Sequence, residues 1–592
     1  MCGIYLALSA EHHILPNART RELLQRRGPD SCRELKIACT VSKHGAPRKV
    51  YITCYSTVLA LRGDALVAQP VTNPDSALED GLQDFLCWNG EAWRINDEPV
   101  VGNDSEAVFL SLPHASSDAL LEGACEPSVA TSMSAVKGPY AFAYYHDADQ
   151  TLSFGRDPLG RRALMSRVDE KGNFFLSSIA DASEPGWKEV EADGLYSIAL
   201  SVFLDHGVDF DSSALRRIPF IQKVDPTACS QDEVTERVNE TTEVSTSSTM
   251  GLMEVDVVSY FPLSTTSPSV QKLETLLRRS LHSRIDTIPR RFHVHDVGLT
   301  MSPTTLAILF SGGLDCTVLA RLADDILDAC EPIDLLNVAF ENPRVHKRPD
   351  NGAEATEWSP YELCPDRITG RASFLELCQI CPDRQWRFVA VNIPYEETLA
   401  HRAEIISLIH PHNTEMDLSI ACALYFAARG SGLLTLPKSD NAATQYTTGA
   451  RVLLSGLGAD ELFGGYQRHT TAFSRHGTVG LLEELHLDIG RLGKRNLGRD
   501  DRVLSHWARE TRFPFLDEDL VDWAISTPVQ ERCDFGAQTL DKAEQTADGS
   551  TLLEPGKKVL RCLAWKLNMR NVAGEKKRAV RLKFYPRPVI QC

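Results

Sequence analysis

A chain of 592 residues is too long for one hydrophobic core, so two or more domains, each with its own core, are expected. Its 43% apolar and 24% charged residues are those of an ordinary soluble protein, and a net charge of -18 with no basic stripe argues against nucleic acid or an anionic membrane as the main partner. No run approaches the roughly 18 apolar residues of a membrane span; with a start that lacks a basic segment and 16 scattered cysteines that fit reduced thiols, the chain reads as cytoplasmic.

Cys2 is the first residue with chemistry to weigh. Removal of Met1 would put a thiol and a free α-amine on one residue, and an N-terminal amine can serve as the nucleophile's own base. Downstream, Arg27-Gly28-Pro29-Asp30 reads as a turn, Trp88-Asn89-Gly90-Glu91 sets a side-chain amide beside a glycine N–H, and Asn103-Asp104-Ser105-Glu106 opens an acidic, helix-capping stretch. Acyl transfer needs two donors aimed at a developing oxyanion, and Asn89 with Gly90 supplies a pair. Asn-Gly is equally the signal of a plain hairpin turn.

Residues 201 to 225 are mixed, and from Pro226 to Pro268 the chain turns Ser/Thr-rich and acidic, too poor in apolar surface to offset its ordering entropy. This is read as a flexible linker. Near Val270 a core helix is expected, because Leu273, Leu276, Leu277 and Leu281 recur at helical spacing.

The stretch 306 to 320 is an apolar run that breaks at Ser311-Gly312-Gly313 and resumes as an amphipathic helix. A buried strand feeding such a turn lets backbone N–H groups and the positive end of a helix converge on phosphate. Asp315 would repel that phosphate and is better read as a Mg2+ ligand. Apolar runs at Asp334 to Phe340 and Trp386 to Ile393 alternate with helical stretches such as Met416 to Ala428, which suggests a doubly wound parallel sheet with its ligand at the carboxyl ends of the strands, where Val338 sits. Residues 341 to 373, rich in Pro, Arg, Asp and Glu, read as a long surface loop. Cys378 and Cys381, with Cys364 upstream, have zinc-like spacing on one side only and are read as free core cysteines. A second strand breaks at Ser455-Gly456-Leu457-Gly458 into Asp460 and Glu461, and carboxylates beside a second backbone nest suit a pyrophosphate with Mg2+.

With Gly138-Pro139-Tyr140-Ala141-Phe142-Ala143 and Gly155-Arg156-Asp157-Pro158-Leu159-Gly160-Arg161, the N-terminal motifs resemble the class II glutamine amidotransferase domain of asparagine synthetases. The two Gly-rich turns and Arg512-Phe513-Pro514-Phe515-Leu516-Asp517 resemble their synthetase domain, the first turn being similar to the pyrophosphate loop of N-type ATP pyrophosphatases with Cys316 in place of a serine. The resemblance implies an α/β protein: an αββα Ntn-type glutaminase sandwich over 1–200, a connector and linker over 201–268, and a doubly wound ATP pyrophosphatase domain over 269–592. It also implies roles. Cys2 would attack the side-chain amide of glutamine, Asn89 and Gly90 would hold the oxyanion, and Glu91 and Asp104 would receive the α-amine. Phe310 and Val338 would flank adenine, Ser311, Gly312, Gly313, Cys316, Ser455 and Gly456 would hold ATP, and Asp315 and Asp460 would hold Mg2+. Glutamine, ATP and aspartate are the implied substrates, and an oligomer is left open.

Three departures qualify the likeness. Asparagine synthetases carry an Arg-Leu pair, the Arg clamping the glutamine carboxylate, where this chain has Val58-Leu59; Arg62 is the nearest replacement, and only if the loop before Gln69-Pro70 is rebuilt. They carry a glutamate, thought to manage ammonia's attack, where this chain has Leu457. The turn Ser-Gly-x-Gly-Ala-Asp-Glu and the late Lys576-Lys577-Arg578-Ala579 are similar instead to a divergent branch of asparagine synthetase domain-containing proteins, whose Gln-Phe-Gly-Ser continuation is missing here. A different acceptor, or a pseudoenzyme that keeps the nucleotide pocket for a partner, are the alternatives.

Overall fold

The computed structural model describes residues 1–43, 46–73, 84–114, 128–206, 215–220, 262–289, 304–343, 359–437, 444–536 and 553–576. Most of the linker expected over 226–268 and the Lys-Arg-Ala motif beyond Lys576 lie outside them.

Two six-stranded antiparallel sheets fill the first part of the chain. In one, Gly3–Ser9 lies between Phe174–Ser177 and Ala46–Val58; in the other, Tyr140–His146 lies between Thr151–Arg156 and Phe85–Gly90. Because side chains alternate along a strand, Ile4, Leu6 and Leu8 meet Phe85, Cys87 and Ala143 in a dry core between the sheets. The Ser56 hydroxyl donates across it to the Cys87 sulfur at 3.4 Å. Helix Ala18–Arg27 covers the outer face of the first sheet through Leu23 and Leu24, and helices Asp104–Ser111 and Val129–Ser134 cover the second through Phe109 and Met133. The layers are therefore helix, sheet, sheet, helix. This unit continues past residue 200, because helix Leu200–His206 contributes Phe203 and Leu204 to the core and Arg216–Ile218 adds an edge strand.

The second part resumes with helix Pro268–Ile285, whose Leu273, Leu276, Leu277 and Leu281 are buried. Its seven-stranded sheet runs Thr444–Thr447, Ser431–Thr435, Trp386–Ile393, Ile333–Phe340, Leu306–Leu309, Val452–Leu454, Glu510–Arg512. The last five are parallel and follow the spatial order 3-2-1-4-5 in chain order, so the winding reverses between Leu306–Leu309 and Val452–Leu454. A crevice opens at the carboxyl ends of strands flanking such a reversal.

Two expectations fail. Residues 365 to 373 are not surface loop but the first half of helix Pro365–Ile380, with proline at its first turn. Its charges are consumed internally: Arg367 is fully buried, donating to Asn337 Oδ1 at 2.6 Å, Asn392 Oδ1 at 2.8 Å and Glu362 Oε1 at 2.8 Å. Nor are the cores wholly separate, although the first part keeps its own between its two sheets. One continuous apolar cluster joins Tyr5, Leu23, Leu24 and Phe175 of the first part to Val391, Ile405, Phe426 and Leu504 of the second. No helix among the described residues is long and apolar enough to cross a membrane, and no cluster of three or more His, Cys, Asp or Glu among them could hold a metal, the Cys364, Cys378 and Cys381 group included.

Candidate functional site

Cys2 enters strand Gly3–Ser9 and Asn89-Gly90 ends strand Phe85–Gly90 rather than turning a hairpin. By alternation, Cys2 shares the inward face with Ile4 and Leu6, and Asn89 shares it with Phe85 and Cys87, so both face the gap between the sheets. Asn89 is fully buried, and neither its Oδ1 nor its Nδ2 has a hydrogen-bond partner. A buried amide left unpaired costs on the order of 1–3 kcal/mol, a cost that a ligand supplying the missing partner would remove. Gln69 donates from Nε2 to the Cys2 sulfur at 3.7 Å and accepts at Oε1 from the Trp88 N–H at 2.8 Å. Burial pushes the Cys2 thiol up, against the pull of the terminal ammonium and a Leu59 backbone donor. Burial also lowers the terminal amine of Met1 to about 6, which makes it neutral, and hence a base, near neutral pH.

Cys2, Val58, Arg62, Glu91, Asp104 and Glu510 line a cavity of about 30 Å³, into which Met1 also projects. That is room for water and not for an amino acid while Met1 stands in the wall. Asp104 accepts from the Trp88 indole N–H at 2.9 Å and the Ala92 N–H at 3.0 Å. Burial and the Glu510 charge hold Glu91 well above the usual carboxylate range, although Arg512 and Arg62 oppose them. The loop does bring Arg62 to the pocket, but its terminal nitrogens already donate to the Ala92 and Val100 carbonyls, each at 2.6 Å.

At the sheet reversal, Ser311-Gly312-Gly313 follows one strand and Ser455-Gly456 its neighbour. Gly312 has φ +81° and packs so tightly on the next helix that a Cβ would lie 2.4 Å from Gly370 Cα, so no other residue fits there. A Cβ on Gly456 would lie 2.8 Å from Asp315 Cβ, which measures how closely the two turns approach. Phe310 and Val338 sit at the ends of adjacent strands, Phe310 buried in the core and Val338 partly buried. The Cys316 thiol turns back into the loop and donates to Gly313 O at 3.3 Å. Leu457 packs against the core, its N–H on Ser455 Oγ at 3.3 Å.

Asp315, in the first turn of helix Leu314–Asp324, and Asp460, in the first turn of helix Ala459–Phe463, converge on one cation that the sequence reading missed. Lys557 places Nζ 2.6 Å from Asp315 Oδ2 and 2.8 Å from Asp460 Oδ1. Burial alone would lower its pKa, but the two carboxylates outweigh burial and raise it. The pair thus already accommodates a positive charge held between them, the donor set that Mg2+ takes when phosphates and water complete its shell.

Strand Glu510–Arg512 joins the two sites. Its Arg512 carbonyl accepts from Ser455 N at 3.0 Å, while its side chain donates to Glu510 at 2.7 Å and to Glu91 at 3.2 Å. Trp93 is ringed by the guanidinium groups of Arg512, Arg284 and Arg62, 5.0, 5.3 and 5.8 Å from its centroid. Further buried pairs cross the same boundary, Arg27 with Asp501 at 2.9 Å and Arg162 with Glu510 at 3.4 Å among them.

Against known proteins, the chain matches the Asparagine synthase family model over residues 441–483 and 476–584. It is 33% identical over 603 residues to asparagine synthetase domain-containing protein 1 of Mus musculus, covering 90% of this chain and 91% of that protein. The chain belongs to the asparagine synthetase domain-containing protein family. Another member, asparagine synthetase domain-containing protein YML096W of Saccharomyces cerevisiae, is 31% identical over 474 residues, covering 79% of this chain and 74% of that protein. A short stretch of 82 residues, 14% of this chain and 15% of the other, is 48% identical to a putative asparagine synthetase [glutamine-hydrolyzing] 1 of Methanocaldococcus jannaschii. The family is asparagine synthetase-like, of a ligase and amidotransferase type.

Proposed function

We propose that this family member is a glutamine-dependent amidotransferase of the asparagine synthetase kind, its first part an Ntn-type glutaminase and its second an ATP pyrophosphatase. The Cys2 sulfur attacks the side-chain carboxamide of glutamine, the terminal amine of Cys2 taking the thiol proton and passing it to the departing ammonia. Asn89 and Gly90 donate to the oxyanion, and Glu91 and Asp104 receive the α-amine. Water then cleaves the thioester and restores the thiol. ATP is the second substrate: its phosphates lie along Ser311-Gly312-Gly313 and Ser455-Gly456, and a carboxylate, that of aspartate in this reading, is activated as an acyl-adenylate with release of pyrophosphate. Ammonia displaces AMP from that acyl carbon. Asp315 and Asp460 would hold Mg2+, which supplies positive charge to the phosphates.

The observation that carries the reading is the convergence of Asp315, Asp460 and Lys557 beside two Gly-rich strand ends at the sheet reversal. ATP–pyrophosphate exchange measured against a panel of amino acids tests it. Exchange stimulated by aspartate supports the full proposal, stimulation by another acid names a different acceptor, and absence of exchange with every acid refutes adenylation. The second reading, a nucleotide-binding pseudoenzyme, is favoured by Leu457, which has no proton to give or take where the second turn faces Asp315. It predicts ATP binding without exchange.

A further inference from the structure

We infer that the amide donor taken by the Cys2 pocket is a glutamine with a free α-amine and a masked α-carboxyl, as at the N-terminus of a peptide. This rests on the glutaminase reading above and concerns what surrounds the carboxamide once it meets Cys2.

A free amino acid brings one positive and one negative charge, and a pocket that takes it needs an unspent partner for each. Partners for the amine are plentiful. Three carboxyl groups, Glu91, Asp104 and Glu510, line the cavity against one arginine side chain, and although each already has partners a carboxylate oxygen can accept further donors. Partners for a carboxylate are already in use. Arg62 is the only cationic side chain among the described lining residues, and its two terminal nitrogens are committed to the Ala92 and Val100 carbonyls. Its Nη1 also faces Glu91 Oε2 at 3.5 Å, so an anion approaching on that side would have to displace that contact as well. Arg512 is divided between Glu91, Glu510, the Arg284 carbonyl and the Thr287 hydroxyl.

A further anion host is the start of helix Asp104–Ser111, whose first N–H groups point out of the helix. It too is satisfied from within. Asn103 Oδ1 accepts from Ser105 N at 3.0 Å and from Glu106 N at 3.4 Å, and the Ser105 hydroxyl donates to the same oxygen at 2.6 Å. Val58, on the wall beside Cys2, offers only methyl groups. Burying an unpaired carboxylate costs far more than burying a neutral amide, whose C=O and N–H need one partner each. The pocket therefore selects against the carboxylate and not against the carboxamide. The chemistry is unchanged: a C–S bond forms as the C–N bond breaks, ammonia leaves with the proton from the terminal amine, and water converts the thioester to a γ-carboxylate, so that amide plus water gives acid plus ammonia.

The test uses the full chain after intact mass has confirmed loss of Met1. Release of ammonia is compared between L-glutamine and its α-methylamide, in the wild type and in Asn103→Gly, which frees the Ser105 and Glu106 N–H groups at little cost to the helix. The methylamide should have the higher kcat/KM by about tenfold or more, the difference lying in KM. Asn103→Gly should lower KM for free glutamine and leave KM for the methylamide unchanged. Equal or better use of free glutamine by the wild type would overturn the inference while leaving the glutaminase reading intact. Failure of both amides to release ammonia from Met1-free protein would refute the glutaminase reading and this inference with it.

Discussion

Asp501→Asn is the sharpest test of how the two parts are joined. Asp501 sits in helix Gly498–Ser505 of the second part, fully buried, with Oδ2 2.9 Å from Arg27 Nη2 and Oδ1 3.8 Å from Arg162 Nη1, both fully buried in the first part. It also accepts from the Ala163 N–H at 3.1 Å. Asparagine keeps the shape and the acceptor but removes the charge. Arg162 would still have Glu510 at 3.4 Å; Arg27 would keep only neutral partners, Ser505 Oγ and Cys2 O. Removing one partner of a buried pair costs about 3–5 kcal/mol. At about 3 kcal/mol per molar of urea, the upper end for small proteins, this lowers the unfolding midpoint by about 1–1.7 M. Far-UV circular dichroism and tryptophan fluorescence would follow it, two probes being needed because a chain of this size need not unfold in one step. Arg27→Met with Asp501→Leu, which leaves Arg162 on Glu510, should recover most of that loss, since apolar replacement of a whole buried pair is often neutral or stabilising by about 1–4 kcal/mol. A midpoint for Asp501→Asn within about 0.3 M of wild type would refute the account.

A glutamine-like electrophile should label Cys2 only after Met1 is lost; intact mass showing Met1 retained in active protein would exclude the N-terminal nucleophile. Asp315→Ala should abolish Mg-ATP binding measured by calorimetry while thiol labelling at Cys2 persists, and unchanged ATP affinity would remove the metal-ligand assignment. Leu457→Glu should raise aspartate amidation with ammonia supplied directly by on the order of the 10²–10⁴ typical of general acid–base catalysis, and a wild type already turning over at on the order of 1–10³ per second would show that leucine is no handicap. His506 is buried beside Arg26, and burial followed by the Arg26 and Arg19 charges lowers its pKa to about 3. The unfolded chain then binds the extra proton between pH 6.5 and 3 while the folded one does not, so stability falls as pH drops through that window. His506→Phe should flatten this loss in urea midpoints taken across it, and an unchanged slope would count against it.

Much of the site could be read from the chain because it is local. Ser311-Gly312-Gly313-Leu314-Asp315 and Ser455-Gly456 each pack a strand end, a small-residue turn and a helix start into a few consecutive residues, and the 2.4 Å approach of Gly370 explains why the turn must be glycine. Lys557 escaped because it meets Asp315 across 242 positions and nothing around Pro555-Gly556-Lys557-Lys558 marks a ligand; its one local signal is a non-glycine residue at φ +56°, visible only in coordinates. Helix Pro365–Ile380 escaped for the opposite reason. Asp366, Arg367 and Arg371 look like solvated charges in sequence, yet Arg367 is a core residue with every direction taken by a partner. Composition separates exposed from buried charge poorly whenever both members of a pair are inside. The same blindness hid the joint between the parts, where buried arginines of one meet acids of the other.

The apolar cluster common to both parts sets a timetable for synthesis. Tyr5, Leu23, Leu24 and Phe175 leave the ribosome well before Val391, Ile405, Phe426 and Leu504 exist to cover them. At about 5–20 residues per second the interval is on the order of 10–100 s, long against the microseconds to seconds in which small domains fold. Through that interval the part of the outer face that helix Ala18–Arg27 leaves bare waits for the second part, and the nascent chain is at its most vulnerable to aggregation there. Ribosomes that stall between residues 220 and 390 should therefore carry chains that recruit chaperones more strongly than either shorter or finished ones.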